Sequence, residues 1–189
     1  MKYNQAADKL SKALAPKRFT HSLGVSKAAA ELAETFGEDI EKSKMAGLLH
    51  DCARGISSNN LLQMAEGFGI VVDDVELSQP ILVHAPLGAY LAKADYGIDD
   101  PEILKAITLH TTGAANMSKL EKIIYLADCI EPSRDYPGVD KLRMLAMRDL
   151  DAAVLAAFDQ SLQFVIERGL LIHPATVEGR NYLLQRQNI

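Results

Sequence analysis

An all-α fold is the expectation, and three features of the sequence carry it. Apolar residues recur at helical spacing along nearly the whole chain. The sustained apolar–polar alternation that a half-buried strand requires is missing, and Ser, Asp and Gly stand where helices would start and stop.

The elements follow in order. Tyr3, Ala6, Ala7, Leu10 and Leu14 mark the face of a first helix, and Pro16 either stops it or takes the first position of the next. Phe19, Leu23, Leu32, Ala33 and Phe36 carry a second helix to Gly37. Asp39 suits the N-cap of a third, running through Met45, Leu48, Leu49 and Cys52, with Gly55 where a C-terminal cap belongs. Ser58 to Glu66 reads as a short fourth helix. Gly67 to Gln79, with two glycines and the acidic run Asp73, Asp74 and Glu76, reads as a solvated loop. Helices from about Pro86 to Ala94 and from Pro101 to His110 come next, the second capped by Asp99 or Asp100 and closed by Gly113. Ser118 with Glu121 forms a capping box that opens a helix through Ile123, Ile124, Leu126 and Ala127, ended by Glu131 and Pro132. After an irregular stretch from Ser133 to Val139, one long apolar-faced pattern from Leu142 to Glu167 stops at Gly169, and Thr176 to Arg186 makes the last helix.

A chain of 189 residues with 48% hydrophobic and 24% charged side chains suits one soluble globular domain, expected over 1–189. The metal-binding core would span about 16–135, with the C-terminal helices of 140–189 packed on it. No window of about 18 uninterrupted apolar residues is present, and no charged stretch with a long apolar run opens the chain, so neither export nor a membrane is expected. Two cysteines, Cys52 and Cys129, are too few for a disulfide framework and point to the cytoplasm. A net charge of −5 argues against broad nucleic-acid binding but leaves room for an anionic small substrate held by a few cations or a metal. Apolar helical surfaces are compatible with a homodimer.

The chemistry-bearing residues fall within helices or at their ends. His21, His50, His84 and His110 all do so; Asp51 follows His50 directly, and Asp128 lies late in an otherwise apolar helix, after Tyr125-Leu126-Ala127. A carboxylate there costs several kcal/mol to bury unless a cation or metal meets it. Neighbouring residues on a helix point about 100° apart, so His50 and Asp51 reach one ion only near a helix end. Imidazole with carboxylate suits iron, manganese, cobalt or zinc, and such an ion lowers the pKa of bound water from about 15.7 towards about 7. A lone histidine on a helix is more often a satisfied, partly buried residue than a ligand, and it is the adjacent His50–Asp51 pair that shifts the balance.

His21, then Leu48-Leu49-His50-Asp51, then Leu126-Ala127-Asp128 resembles the H, HD, D pattern of the HD-domain phosphohydrolase superfamily. Within it, the chain is similar to the YqeK family of symmetrical bis(5'-nucleosyl)-tetraphosphatases. The blocks that carry this are residues 18–25, 47–55, 84–89 (His84-Ala85-Pro86-Leu87-Gly88-Ala89), 110–113 (His110-Thr111-Thr112-Gly113) and 125–134.

The resemblance implies a single HD-domain helical bundle whose metal, iron in the family's usual assignment, is held by His21, His50, Asp51 and Asp128. It also implies diadenosine tetraphosphate as the substrate, cut into two ADP by metal-bound hydroxide at an inner phosphorus. Arg18, three residues before His21 on the same helix face, and Arg134, just after the Asp128 helix, are candidate phosphate contacts. Surface salt bridges are their alternative role. His84 and His110 would contact phosphate, serve with Asp51 in catalysis as acid or base, or hold a second metal; phosphate contact is the favoured reading. Thr111 adds a hydroxyl, or helps Gly113 end the helix. By resemblance Gly169, Leu170, Leu171, Ile172, His173 and Pro174 would line the nucleotide pocket; on the residues alone they are equally a loop between two helices.

Other nucleotide hydrolases with the HD pair are the nearest alternatives: a deoxynucleoside triphosphate hydrolase, a guanosine tetraphosphate hydrolase or a cyclic-dinucleotide phosphodiesterase. A guanosine tetraphosphate hydrolase would carry a Glu-Asp pair after it, where this chain has Cys52-Ala53-Arg54-Gly55. A cyclic-dinucleotide enzyme would carry Gly-Tyr-Pro, where Asp135-Tyr136-Pro137 stands in another context. A nucleotide sensor without turnover is the alternative of a different class, and intact ligand positions speak against it.

Overall fold

The computed structural model describes residues 1–187, and every regular element among them is helical. In order these are α1 (Tyr3–Ala13), α2 (Pro16–Phe36), α3 (Ile40–Leu49), α4 (Ser58–Gly67), α5 (Asp74–Ser78), α6 (His84–Tyr96), α7 (Pro101–Leu109), α8 (Lys119–Ile130), α9 (Val139–Ala146), α10 (Leu150–Glu167) and α11 (Pro174–Gln187). A 3₁₀ turn, Pro80–Val83, leads into α6.

Local chemistry accounts for the boundaries. Pro16 opens α2, where a missing N–H costs nothing. Gly37, at φ 65°, ends that helix in the left-handed conformation a side chain disfavours. Asp39, Asp100 and Ser118 cap α3, α7 and α8 with their side-chain oxygens, as their positions in the sequence predict.

Four places differ from the sequence expectation. Helix α3 ends at Leu49 with His50 in the C-cap position, short of Cys52, and Gly55 does not cap it. The Gly67 to Gln79 stretch contains α5. Asp73 accepts from the amides of Val75 and Glu76 at 2.9 Å while the Glu76 carboxylate takes the Asp73 N–H at 3.0 Å, so the acidic run is a capping box rather than a solvated loop. The long pattern from Leu142 to Glu167 is two helices, because Asp149 leaves the helical conformation and caps α10 through Ala152 N at 3.0 Å. Helix α6 begins at His84 rather than at Pro86; Pro86 still falls in its first turn, where proline is tolerated.

The bundle is centred on α2, α3, α7 and α8, which pack on one another, with α10 laid across α8, α9 and α11. Leu32, Leu48, Leu49, Ile107, Ile123, Ile124, Leu126 and Phe158 are fully buried and belong to one core that reaches from Ala6 to Leu183. Burying each such side chain is worth about 1.5–3 kcal/mol. A smaller core of Ala53, Leu61, Ala65, Val83 and Leu87 sits under α4 and α6. At the α2–α3 crossing, a Cβ on Gly47 would fall 2.9 Å from Ser26 Cα, so glycine sets how closely the helices bearing His21 and His50 approach. Among the described residues no helix is long and apolar enough to cross a membrane.

Candidate metal centre and phosphate site

Helix α3 stops at Leu49, and the chain then tightens into turns, with Cys52 N on Leu49 O at 3.0 Å and Arg54 N on Asp51 O at 2.9 Å. The change of course at the helix end lets His50 and Asp51, adjacent in sequence, aim at one point. Helix α2 brings His21 there, α8 brings Asp128, and the starts and ends of α6 and α7 bring His84 and His110. Except for Asp128, with its side chain 21% exposed, all are buried.

The cluster has two sides, divided by the Asp51 carboxylate. On one, His21 Nε2 lies 3.2 Å from His50 Nε2, 3.0 Å from Asp128 Oδ1 and 3.8 Å from Asp51 Oδ2, while His50 Nε2 lies 3.5 Å from Asp51 Oδ2. On the other, Asp51 Oδ1 stands 3.1 Å from His84 Nε2 and 3.6 Å from His110 Nε2, which are 3.1 Å apart. Thr111 Oγ1 is 3.3 Å from His84 Nε2 and 3.1 Å from His110 Nε2.

The ring tautomers follow from the partners. His50 Nδ1 donates to Gly47 O at 2.7 Å, His110 Nδ1 to Ile107 O at 2.7 Å, and His84 Nδ1 to Ile81 O; carbonyls only accept, so these nitrogens carry the hydrogens. His21 Nδ1 donates to Glu131 Oε1 at 3.0 Å. In their neutral forms all four rings therefore turn Nε2 lone pairs towards one another and towards two carboxylates. That arrangement is repulsive unless positive charge lies between the groups. Spacings of 3.0–3.8 Å between such atoms suit ligands around one ion with bonds of about 2.0–2.2 Å. The buried sets His21, His50, Asp51 and Asp51, His84, His110 each fit a cation.

The electrostatics agree. Burial pulls the His50 imidazole down, yet Asp51 and Asp128 outweigh it and leave the pKa raised. Burial raises Asp51, and His50, His110 and His84 more than reverse this, holding it well below the carboxylate range. Asp128 is likewise lowered against burial by His21, His50 and Arg134. His110 is lowered by burial. Both acids are ionised, and the site prefers a cation at its centre.

Two arginines flank the acids. Arg18 Nη1 donates to Asp51 Oδ2 at 2.8 Å. Arg134 donates through Nε to the Asp128 carbonyl at 2.7 Å and through Nη2 to Asp128 Oδ1. Sequence reasoning left a third unassigned. Arg54 is half-buried under the fields of Asp51, Arg18, Asp128 and Arg134, and among the described residues it makes no ion pair. It also passed over Glu131, which is 1% exposed and accepts from His21 as well as from Ser133 N at 2.7 Å and Ser133 Oγ. Burial raises Glu131, but the Ser133 and His21 hydrogen bonds leave it lowered. In sequence Glu131 reads only as the end of α8, because its partner His21 lies 110 residues away.

The segment 169–174 and the start of α11 make contacts of their own. His173 Nε2 pairs with Asp73 Oδ2 at 2.9 Å, Gln79 Nε2 donates to Leu171 O at 2.9 Å, and Thr176 Oγ1 donates to Thr112 O at 2.9 Å. Among the described residues no hydrogen bond or ion pair ties 169–174 to the four histidines or two aspartates. Leu170, Leu171 and Ile172 are exposed.

The HD domain family model matches residues 18–133, which contain every member of the cluster. The symmetrical bis(5'-nucleosyl)-tetraphosphatase of Halalkalibacterium halodurans is 38% identical over 92% of this chain and 92% of its own. That of Bacillus subtilis is 37% identical over 90% and 91%. A crystal structure described as a predicted HD superfamily hydrolase involved in NAD metabolism, from Clostridium acetobutylicum, superposes with a TM-score of 0.95 at 45% identity, covering 98% of both chains. By sequence, by fold and by the residues gathered at its centre, the chain belongs to the HD domain family of metal-dependent hydrolases.

Proposed function

We propose that the chain hydrolyses diadenosine tetraphosphate symmetrically, releasing two ADP, and that it works as one domain in the cytoplasm. The observation that carries this is the Asp51 carboxylate, shared between two histidine pairs and flanked by cations with room for a polyphosphate. The names of the relatives at 37–38% identity over nearly full length support the substrate. Two free cysteines support a reducing compartment.

His21, His50, Asp51 and Asp128 would hold the divalent ion. Their mixed nitrogen and oxygen donors suit iron, our first choice on family resemblance, as well as manganese, cobalt and zinc. When bound, it supplies Lewis acidity and a nucleophilic water at neutral pH. Glu131 keeps the His21 ring oriented through Nδ1, and Gly47 O does the same for His50. Arg18, Arg134 and Arg54 face charge that builds on the bridge oxygens; the first two exchange part of their grip on Asp51 and Asp128 for phosphate, and the third has no carboxylate to give up. His84, with Asp51 Oδ1 beside its Nε2, holds the proton that the departing ADP takes up, while His110 and Thr111 contact phosphate. The position of Asp51 Oδ1 between His84 and His110 favours a second reading of that side as a second cation site, which counting metal per chain separates from the first.

Incubating metal-loaded protein with diadenosine tetraphosphate and resolving the nucleotides tests the reaction. ADP as sole product is expected. ATP with AMP would move the attacked phosphorus, and no turnover would remove the substrate assignment.

A further inference from the structure

A substrate with two identical ends, cut at its middle, needs a seat for a nucleoside on each side of the reacting phosphates. A cavity of about 650 Å³ opens on the His21 side of the cluster, with Lys17, Arg18, His21, Arg134 and Tyr136 in its walls. Its volume lies in the range of small-molecule sites, about 300–1,000 Å³.

Resting on the reaction proposed above, we propose that this cavity seats one nucleoside diphosphate half of the substrate, with the Tyr136 ring as the platform for its base and Lys17 and Arg134 on its phosphates.

Four observations carry the assignment. Tyr136 lines the cavity, and its ring is held at one end by the hydroxyl, which donates to Cys129 O at 2.9 Å. A half-buried aromatic face held in this way offers stacking area to a base at little entropic cost. Lys17, at the start of α2, makes no ion pair among the described residues, and its ammonium is free for an anion. The balance of charge is also favourable: Lys17, Arg18 and Arg134 stand against Asp135, the other wall carboxylate, Glu131, being engaged by His21 and Ser133. Finally, Arg134 and His21 both line the cavity and both contact Asp128, so the cavity borders the cluster directly.

No residue of the 169–174 loop lines this cavity; the loop's contacts are to Asp73 and Gln79. The cavity therefore adds a seat for the second half beside the nucleotide pocket that the family resemblance implies for that loop.

Two readouts test this. Calorimetric titration of metal-loaded protein with ADP should give two ADP per chain, falling to one in Tyr136→Ala. The KM for diadenosine tetraphosphate should rise roughly tenfold in Tyr136→Ala, the order of loss when a base loses its aromatic platform, with kcat changed far less. Tyr136→Phe keeps the ring but loses its anchor on Cys129 O, so its KM should lie between those of the wild type and Tyr136→Ala; should Tyr136→Ala fail to fold, Lys17→Ala is read in its place, with weaker binding and a shallower salt dependence expected. One ADP per chain in the wild type, or an unchanged KM in folded Tyr136→Ala, overturns the subsite while leaving the reaction intact. Two ADP bound without turnover of diadenosine tetraphosphate refutes the reaction and supports the subsite.

Discussion

His21 and Glu131, 110 residues apart, meet at 3.0 Å between Nδ1 and Oε1 in a setting where the carboxylate is almost fully buried and ionised. That contact fixes which nitrogen of His21 faces the cluster. Glu131→Gln should weaken divalent-metal affinity about tenfold or more, the usual cost of losing a partner behind a ligand, while circular dichroism stays helical. Competition with a chelator measures it, and unchanged affinity would make Glu131 a packing residue. Gly24 belongs to the same arrangement, since a Cβ there would fall 2.5 Å from Glu131 Oε2.

Arg143 of α9 reaches back to three carbonyls of the segment that leaves α8: Ile130 O at 2.9 Å, Glu131 O at 2.9 Å and Arg134 O at 2.8 Å. It acts on substrate only through that segment. Arg143→Met should raise KM several-fold, and the increase should not add to that of Arg134→Ala, because both changes remove the same placement of one guanidinium. Steady-state kinetics on the two single variants and the double variant decide it; full additivity would assign Arg143 to stability alone.

Among the described residues Arg54 makes no ion pair, although it lies in the fields of Asp51 and Asp128. Arg54→Ala should lower kcat/KM about tenfold or more, whereas Arg54→Lys should retain a good part of the activity, because an ammonium still supplies charge although not the planar fork. An alanine variant with wild-type kinetics would show that the guanidinium takes no part.

Asp100 carries a pH-dependent contribution to stability. Its side chain caps α7 and pairs with Lys42 at 2.9 Å, and the Lys42 hydrogen bond, against slight burial, lowers its pKa. A carboxylate lowered on folding contributes above its unfolded pKa and loses that contribution as pH falls through the lowered folded value. Asp100→Asn keeps a capping side chain and removes the charge. Its melting temperature should lie below that of the wild type at neutral pH, and the difference should close in acid. A gap that persists in acid would place the effect in the cap rather than the charge.

The all-helical fold was legible because periodicity and caps agree over most of the chain, as Asp39 and Ser118 show. The break between α9 and α10 was not, because Leu145, Met147 and Leu150 keep an apolar pattern running through it and only the Asp149 side chain marks the restart. Helix α5 is five residues long, too short for any period to register, although its capping box was present in Asp73 and Glu76. In the site, the residues with distinctive chemistry in short motifs, such as His50 and Asp51, could be read directly. Glu131 and Arg143 could not, since each works through a hydrogen bond whose partner sequence spacing does not reveal.

Hydrolysis depends, on the proposed reading, on a divalent ion that supplies the positive charge between the His21, His50, Asp51 and Asp128 side chains. Stripping the protein with a chelator and titrating a divalent ion back, with bound metal and ADP release followed together, tests it most directly. Release of ADP should rise in proportion to bound metal and plateau when the site fills, and Asp128→Asn should bind little metal and release little ADP at the same concentrations. Full-rate hydrolysis by metal-free protein would contradict the account.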